Sequence, residues 1–381
     1  MTPNFPVDSF QQLSTPFYYY DLNLLRRTLD AVKAASAFEG FHVNYAMKAN
    51  ANPEILKIVR QYDLGIDAVS GGEIQSAVEA GFDPRKIMLA GVGKTDREIE
   101  MALDIECINV ESIEELEVIE EVASRCNKTA RIALRINPNI DAHTHHFITT
   151  GLAENKFGID QRFLDRALSF IRESKHLDFQ GLHFHIGSQI TTNEPYRILC
   201  ERINNLQEDL RRKGFECRSI NVGGGLGIDY DNPDENPIPD FESYFKTFAD
   251  NLERPAGTTV HFELGRSIVA QCGSLISRVV FVKNGFDKKF VIIDAGFSEL
   301  IRPALYGAHH LIQNLTSTSE KTEAYDVVGP ICESSDVFSE NEVLPETKRG
   351  DIVALRSAGA YGEVMASHYN MRSLNPCFCI R

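Results

Sequence analysis

From residue 42 to residue 264, eight short apolar runs alternate with seven amphipathic stretches, and few folds accommodate such a pattern. The apolar runs are 42–48, 65–69, 87–90, 107–110, 130–136, 181–186, 219–222 and 259–264. Each has the length and side-chain character of a strand. Between them, 53–60, 72–80, 96–103, 113–123, 163–172, 195–212 and 241–252 space their apolar residues as helices do, and a further helical stretch, 22–35, precedes the first run. Strands separated by helices pair in parallel through right-handed crossovers. Eight of them are what a closed (β/α)8 barrel needs. An open doubly wound sheet is the competitor, but it wants a glycine-rich turn after the first strand, where this chain has Lys48-Ala49-Asn50.

The texture changes near residue 270. The runs 275–282, 290–294, 324–328 and 351–356 read as strands joined by loops, without helices between them. They predict a smaller C-terminal β domain, a sandwich or an open barrel. The strand expected at Phe17-Tyr18-Tyr19-Tyr20-Asp21 pairs into it. The expected division is a barrel over 22–270 and a β domain from 1–21 plus 271–381. A length of 381 residues suits two domains, or one barrel with an addition.

Composition narrows the partners. With 39 basic and 54 acidic residues the net charge is −15, and no Lys/Arg run is present. Nucleic acid and anionic membrane are therefore poor candidates. No apolar run approaches the roughly 20 residues of a membrane helix, and Met1-Thr2-Pro3-Asn4-Phe5-Pro6 lacks a signal pattern. The eight cysteines contain no CxxC pair, which indicates neither a zinc site nor a disulfide framework. A reducing, cytoplasmic compartment is expected.

Barrel enzymes carry their chemistry at the C-terminal ends of the strands. Those ends supply Lys48, then Asp67 with Ser70-Gly71-Gly72-Glu73, then Arg135 and a loop with His143, His145 and His146. Further on come His183-Phe184-His185-Ile186-Gly187-Ser188-Gln189, Gly223-Gly224-Gly225 and Glu263-Leu264-Gly265-Arg266. Each has a plainer reading. Lys48 alone is a surface lysine, Gly223–Gly225 a tight turn, and His185 a hydrogen-bonded core histidine. Together they fit one cofactor. A lysine amine forms a Schiff base, backbone N–H groups of a glycine turn bind phosphate, and an imidazole stacks. A carboxylate late in an apolar strand needs a partner such as a ring nitrogen. This set suits pyridoxal 5′-phosphate. A metal-dependent hydrolase is the rival, on His183-x-His185 and the three loop histidines. Such enzymes place His-x-His on the first strand, which here ends in Lys48.

Tyr45-Ala46-Met47-Lys48-Ala49-Asn50, the His183–Gln189 segment, Asn221-Val222-Gly223-Gly224-Gly225 and Glu263-Leu264-Gly265-Arg266 resemble the signature set of the fold-type III pyridoxal 5′-phosphate decarboxylases, whose barrel is alanine racemase-like. The resemblance spans essentially the whole chain. It is strongest to the branch that converts meso-2,6-diaminopimelate to L-lysine. It implies that Lys48 carries the cofactor and His185 stacks on it. Asp67, Ser188, Gly224, Gly225, Gly265 and Arg266 would bind it, and Glu263 would pair with its pyridine nitrogen. In the C-terminal domain it implies substrate contacts from Arg266, Arg302, Tyr306 and Glu333, with Cys332 as proton donor and Tyr361 touching both cofactor and substrate. It also implies a homodimer in which Cys332 and Glu333 serve the partner's site. Relatives acting on ornithine, arginine or carboxynorspermidine are the alternative, and those for basic amino acids usually carry Asp where this chain has Glu333. Two departures stand out: Leu264 replaces the family's usual proline, and the tail 375–381 matches nothing in the family pattern.

Overall fold

The computed structural model describes residues 5–138, 156–374 and 376–380; His143, His145 and His146 lie outside them. The chain divides into two compact units. One comprises Leu29–Gly227 and Asp240–Gly265; the other takes the chain up to Thr28, Ile228–Pro239, and everything from Arg266 onward. The short segment Ile228–Pro239, which the sequence places inside a continuous barrel, thus groups with the second unit.

The first strand, β1 (Phe17–Asp21), belongs to the second unit. The first unit holds β2 (Phe41–Ala46), β3 (Gly65–Ala68), β4 (Ile87–Leu89), β5 (Cys107–Val110), β6 (Ala130–Arg135), β7 (Leu177–His183), β8 (Ser219–Asn221) and β9 (Thr259–Leu264). These strands pair in chain order and close into a barrel. The closing pair is parallel and runs from Phe41 opposite Val260 to Tyr45 opposite Leu264. The (β/α)8 expectation holds.

Two strand ends differ from the sequence reading, and both bear on the site. β2 stops at Ala46 because Met47–Ala49 winds into a 3₁₀ turn, so Lys48 rides on that turn. β7 begins at Leu177 and ends at His183, which leaves His185 on the loop beyond. Leu177–Gln180 are only half-buried, so their strand character carries little hydrophobic signal.

Helix starts are set by side chains just past the strand ends. Asn52, Ser70, Thr95, Ser112 and Asp240 each accept a backbone N–H of the helix that follows, and Thr95 completes a capping box with Glu98. Such caps satisfy otherwise orphaned donors, each worth about 1 kcal/mol. They also fix where each strand's C-terminal loop must end.

Aromatic packing decides which way β9 faces. The ring of Phe262 lies 4.9 Å from Phe245 and 5.2 Å from Phe248, both on helix Phe241–Asn251. Tyr244 packs edge-on to Tyr196 of helix Glu194–Arg212 at 4.9 Å. With Phe262 committed outward to the helices, strand alternation turns His261 and Glu263 into the barrel. Among the described residues no helix is long and apolar enough to cross a membrane.

The second unit is a sheet. After β1 it contains β10 (Gly273–Asn284), β11 (Lys289–Ile293), β12 (Ile312–Asn314), β13 (Thr322–Val328), β14 (Val337–Pro345), β15 (Ile352–Leu355) and β16 (Cys377–Ile380). The order is β12-β15-β10-β11-β13-β14, with β1 on β10 and β16 on β1. Tyr18 opposite Leu275 confirms that the N-terminal strand joins this sheet. The unmatched tail has a structural use: β16 lies parallel to β1, with Phe378 opposite Tyr19 and against the ring of Phe17. Phe10, Phe17, Tyr19, Ile276, Ile352 and Ala354 form its core.

Candidate active site

In the barrel, Lys48 Nζ stands 3.1 Å from Asp67 Oδ2 at the end of β3; the lysine side chain is 37% exposed and the aspartate fully buried. Burial, then the nearby charge of Glu263, pushes Asp67 up to about 7, against the pull of Lys48. Its Oδ1 is buried without a hydrogen-bond partner among the described residues. Asp67 thus titrates well above an ordinary aspartate, beside the Lys48 amine.

Glu263 is buried near the end of β9. Asn221 Nδ2 donates to its Oε1 at 2.8 Å, and His183 Nε2 lies 3.1 Å from the same oxygen, close enough for charge interaction but not aligned as a hydrogen bond. Burial disfavours its ionised form, yet His183, Lys48 and His185 outweigh burial and hold the carboxyl well below the usual carboxylate range. Two buried carboxyls thus face one lysine in different states, Asp67 near half-protonation and Glu263 ionised. Opposed states of neighbouring acids are a mark of functional sites.

His185 is pushed down to about 3, first by burial and then by the cations Arg135 and Lys48. It stays a neutral ring, and Gly224 N–H donates to its Nδ1 at 3.3 Å. Part of its surface remains open, as does that of Ser188 on the same loop.

The glycines here answer to close packing. A Cβ on Gly224 would sit 1.8 Å from the carbonyl oxygen of Glu263, and one on Gly223, whose φ is +71°, 2.3 Å from that of Phe184. A Cβ on Gly265 would lie 3.0 Å from Ala49 Cβ, so the end of β9 presses on the Lys48 turn. Gly223 N–H donates to Asn221 Oδ1 at 2.9 Å, so that donor is already engaged inside the protein.

Arg135 and Glu111 form a buried pair at 2.6 Å. Glu111 also accepts from Gly91 N–H at 3.2 Å and Gly158 N–H at 2.9 Å. Glu111 is thus the hub of three loops. Among the described residues no group of three or more His, Cys, Asp or Glu is arranged to hold a metal, and His183 is turned to Glu263.

In the second unit, Arg266 and Arg302 gather around Tyr230, which the sequence reading missed, and Tyr361 lies against Arg266. Arg266 Nη1 donates to Tyr230 Oη at 2.6 Å. The guanidinium of Arg302 lies 5.1 Å from the Tyr230 ring centre, and that of Arg266 lies 5.0 Å from the Tyr361 ring. Tyr361 has a φ of +57°, an uncommon conformation for a tyrosine that recurs at functional sites. Tyr306 closes helix Arg302–Tyr306 and is half-buried. Cys332 and Glu333 lie on an exposed loop. There Tyr369 Oη donates to Glu333 at 2.6 Å and Asn370 accepts Cys332 N–H at 3.1 Å.

Comparison with known proteins agrees with this arrangement. Residues 23–270 match the family model described as the pyridoxal binding domain of the pyridoxal-dependent decarboxylases. The chain is 57% identical over 373 residues to the diaminopimelate decarboxylase of Bacteroides thetaiotaomicron, covering 97% of this chain and 96% of that protein. It is 41% identical over 365 residues to that of Aquifex aeolicus, covering 95% and 86%. The crystal structure of diaminopimelate decarboxylase from Helicobacter pylori complexed with L-lysine superposes with a TM-score of 0.92 at 40% identity, covering 98% of this chain and 94% of that one. The chain belongs to the pyridoxal-dependent decarboxylases and, within them, to the diaminopimelate decarboxylase family.

Proposed function

We propose that this protein decarboxylates meso-2,6-diaminopimelate to L-lysine and carbon dioxide with pyridoxal 5′-phosphate as its cofactor. The observation that carries the reading is the barrel mouth: Lys48, an ionised Glu263 and a neutral His185 within electrostatic reach of one another, in a chain so similar to known diaminopimelate decarboxylases. The donor set suits the cofactor. Lys48 would hold it through Nζ, and the buried Oδ1 of Asp67 is an acceptor still unused among the described residues. Glu263 holds a proton on the ring nitrogen. His185, kept neutral, covers a ring face without competing for that proton. Ser188, Gly224, Gly225, Gly265 and Arg266 receive the phosphate. Bound pyridoxal 5′-phosphate supplies an electron sink for the electrons left at Cα when carbon dioxide departs. Asp67, at about 7 and 3.1 Å from Lys48 Nζ, would hold or release a proton at that amine.

Diaminopimelate carries a second amino-acid head, which needs a cation for its carboxylate and an anion for its ammonium. Arg266 and Arg302 serve the carboxylate, Glu333 serves the ammonium, and Tyr306 and Tyr361 line the path. The Cys332 thiol returns a proton to Cα. Cys332 and Glu333 do so for the partner's site in a homodimer; their exposure in the single chain supports this reading. Cys107, Cys126, Cys200, Cys217, Cys272 and Cys332 are held in no disulfide, in keeping with a cytoplasmic setting.

Replacing Lys48 by alanine tests the assignment. The purified parent should show visible cofactor absorbance and release carbon dioxide from meso-diaminopimelate, and Lys48→Ala should lose both. A variant that keeps the visible band would overturn the role of Lys48.

A further inference from the structure

Two guanidinium groups of the second unit converge on one phenol, and a histidine fixes one of them. His310 is buried, with Nε2 2.8 Å from Arg302 Nη1 and Nδ1 2.8 Å from the Arg356 carbonyl oxygen. A guanidinium only donates and a carbonyl only accepts. The ring proton therefore sits on Nδ1, and Nε2 accepts from Arg302. Burial, then the charge of Arg302, pushes His310 down to about 3, so this tautomer persists at physiological pH. His310 also meets the Tyr230 ring edge-on at 5.3 Å.

The loop that presents Tyr230 is itself braced. The Asp229 carboxylate accepts N–H bonds from Asp231 at 2.9 Å and Asn232 at 2.8 Å, and the Asn236 side chain at 2.8 Å. Tyr230 then takes a hydrogen bond from Arg266 and lies against Arg302. Burial raises the phenol, but the two arginines outweigh it and bring Tyr230 below its ordinary value. Burial and the charge of Arg266 weigh against the Arg302 cation. No carboxylate stands within ion-pair distance of Arg302 among the described residues. A buried guanidinium such as that of Arg302, which meets a phenol and an imidazole but no carboxylate, opposes folding rather than supports it. The arrangement has the chemistry of an anion receptor.

We infer that Tyr230 and His310 are positioning residues, holding Arg266 and Arg302 as a fork for the substrate carboxylate that survives the reaction. They thereby set the preference for amino acids with a distal carboxylate. This rests on the functional reading above and deepens it: the arginines touch the substrate, whereas Tyr230 and His310 act through them.

The test compares two ligands on the cofactor-loaded enzyme. L-lysine keeps the carboxylate; 1,5-diaminopentane has both amines and lacks it. Tyr230→Phe keeps the ring and removes the oxygen. His310→Leu removes both hydrogen bonds, and His310→Gln retains a donor and an acceptor. Tyr230→Phe and His310→Leu should each weaken L-lysine binding about tenfold, the scale of a lost charge-assisted hydrogen bond. The KM for meso-diaminopimelate should rise in step, with kcat changed far less and 1,5-diaminopentane binding unchanged. His310→Gln should recover most of the loss. Equal weakening of both ligands, or no weakening of L-lysine, overturns the inference. If the parent enzyme fails to turn over meso-diaminopimelate, the functional reading fails first, and this inference with it.

Discussion

Removing the Glu111 side chain should destabilise the barrel more than any surface charge would. Glu111 and Arg135 pair at 2.6 Å with side chains only 2% and 8% exposed. Truncating one partner of such a pair costs about 3–5 kcal/mol, because the other charge is left buried and unpaired. The N–H groups of Gly91 and Gly158 lose their acceptor as well. Each costs about 1–3 kcal/mol if it stays dry, although water entering the vacated space keeps the terms from adding in full. Glu111→Ala should therefore lose ~4 kcal/mol, with Glu111→Gln falling between it and the parent, since an amide oxygen still accepts an N–H. Urea unfolding followed by far-UV circular dichroism reads this difference, provided the slope against denaturant is unchanged. The pH dependence follows from the same geometry. Burial opposes ionisation of Glu111, but Arg135, His183 and Lys94 outweigh it and hold the carboxyl below its usual range. The stability it lends is full above the ordinary glutamate value near ~4.3 and falls as pH drops through the lowered folded value. The gap between parent and Glu111→Ala should accordingly narrow in acid. A loss below about 1 kcal/mol at neutral pH would refute the reasoning, because that is the range of an exposed pair.

Other outcomes follow from single contacts. Asp67 stands at about 7 in the folded protein, above the ordinary aspartate value of ~3.9. Its contribution to cofactor-free stability is present below that ordinary value and lost as pH rises through about 7; Asp67→Asn should flatten this slope, and an unchanged slope in urea titrations would contradict the assignment. Gly224→Ala places a methyl 1.8 Å from the Glu263 carbonyl oxygen, against backbone that has no flexible side chain to yield. It should cost about 1–3 kcal/mol by overpacking and weaken cofactor binding, seen by thermal unfolding and cofactor titration; a variant with the parent's melting point would count against it. Phe262→Ala should cost about 3–5 kcal/mol by opening a cavity beneath helix Phe241–Asn251, measured in the same urea experiment, and a loss near zero would mean that the helix does not depend on this ring.

Much of the barrel was legible because buried parallel strands read as apolar runs and most are followed by a capped helix. Sequence placed Lys48 and Asp67 at neighbouring strand ends, and the two lie 3.1 Å apart. His183, Asn221 and His261 stand in register across β7, β8 and β9, and Glu263 lies two residues past His261 on the same face. What stayed hidden lacked periodicity. Tyr230 lies in a stretch dense in Asp, Asn and Pro, where nothing in the pattern signals a buried contact. Nothing in the pattern marks Glu111, and only the three-dimensional position of Arg135 and Gly158 makes it a hub. β14 alternates irregularly between exposed and buried positions, and β12 and β16 have three and four residues, too few for a pattern. The partners of Glu263 were the reverse case: burial demanded one, and the fold supplies Asn221 and His183 from neighbouring strands.

The most direct test of the central claim is a product analysis of the purified protein with pyridoxal 5′-phosphate. With meso-diaminopimelate as substrate, carbon dioxide and L-lysine should form in equal amounts, while ornithine and arginine, which lack the distal carboxylate, should yield little. Carbon dioxide from ornithine or arginine at a comparable rate, or none from meso-diaminopimelate, would contradict the account.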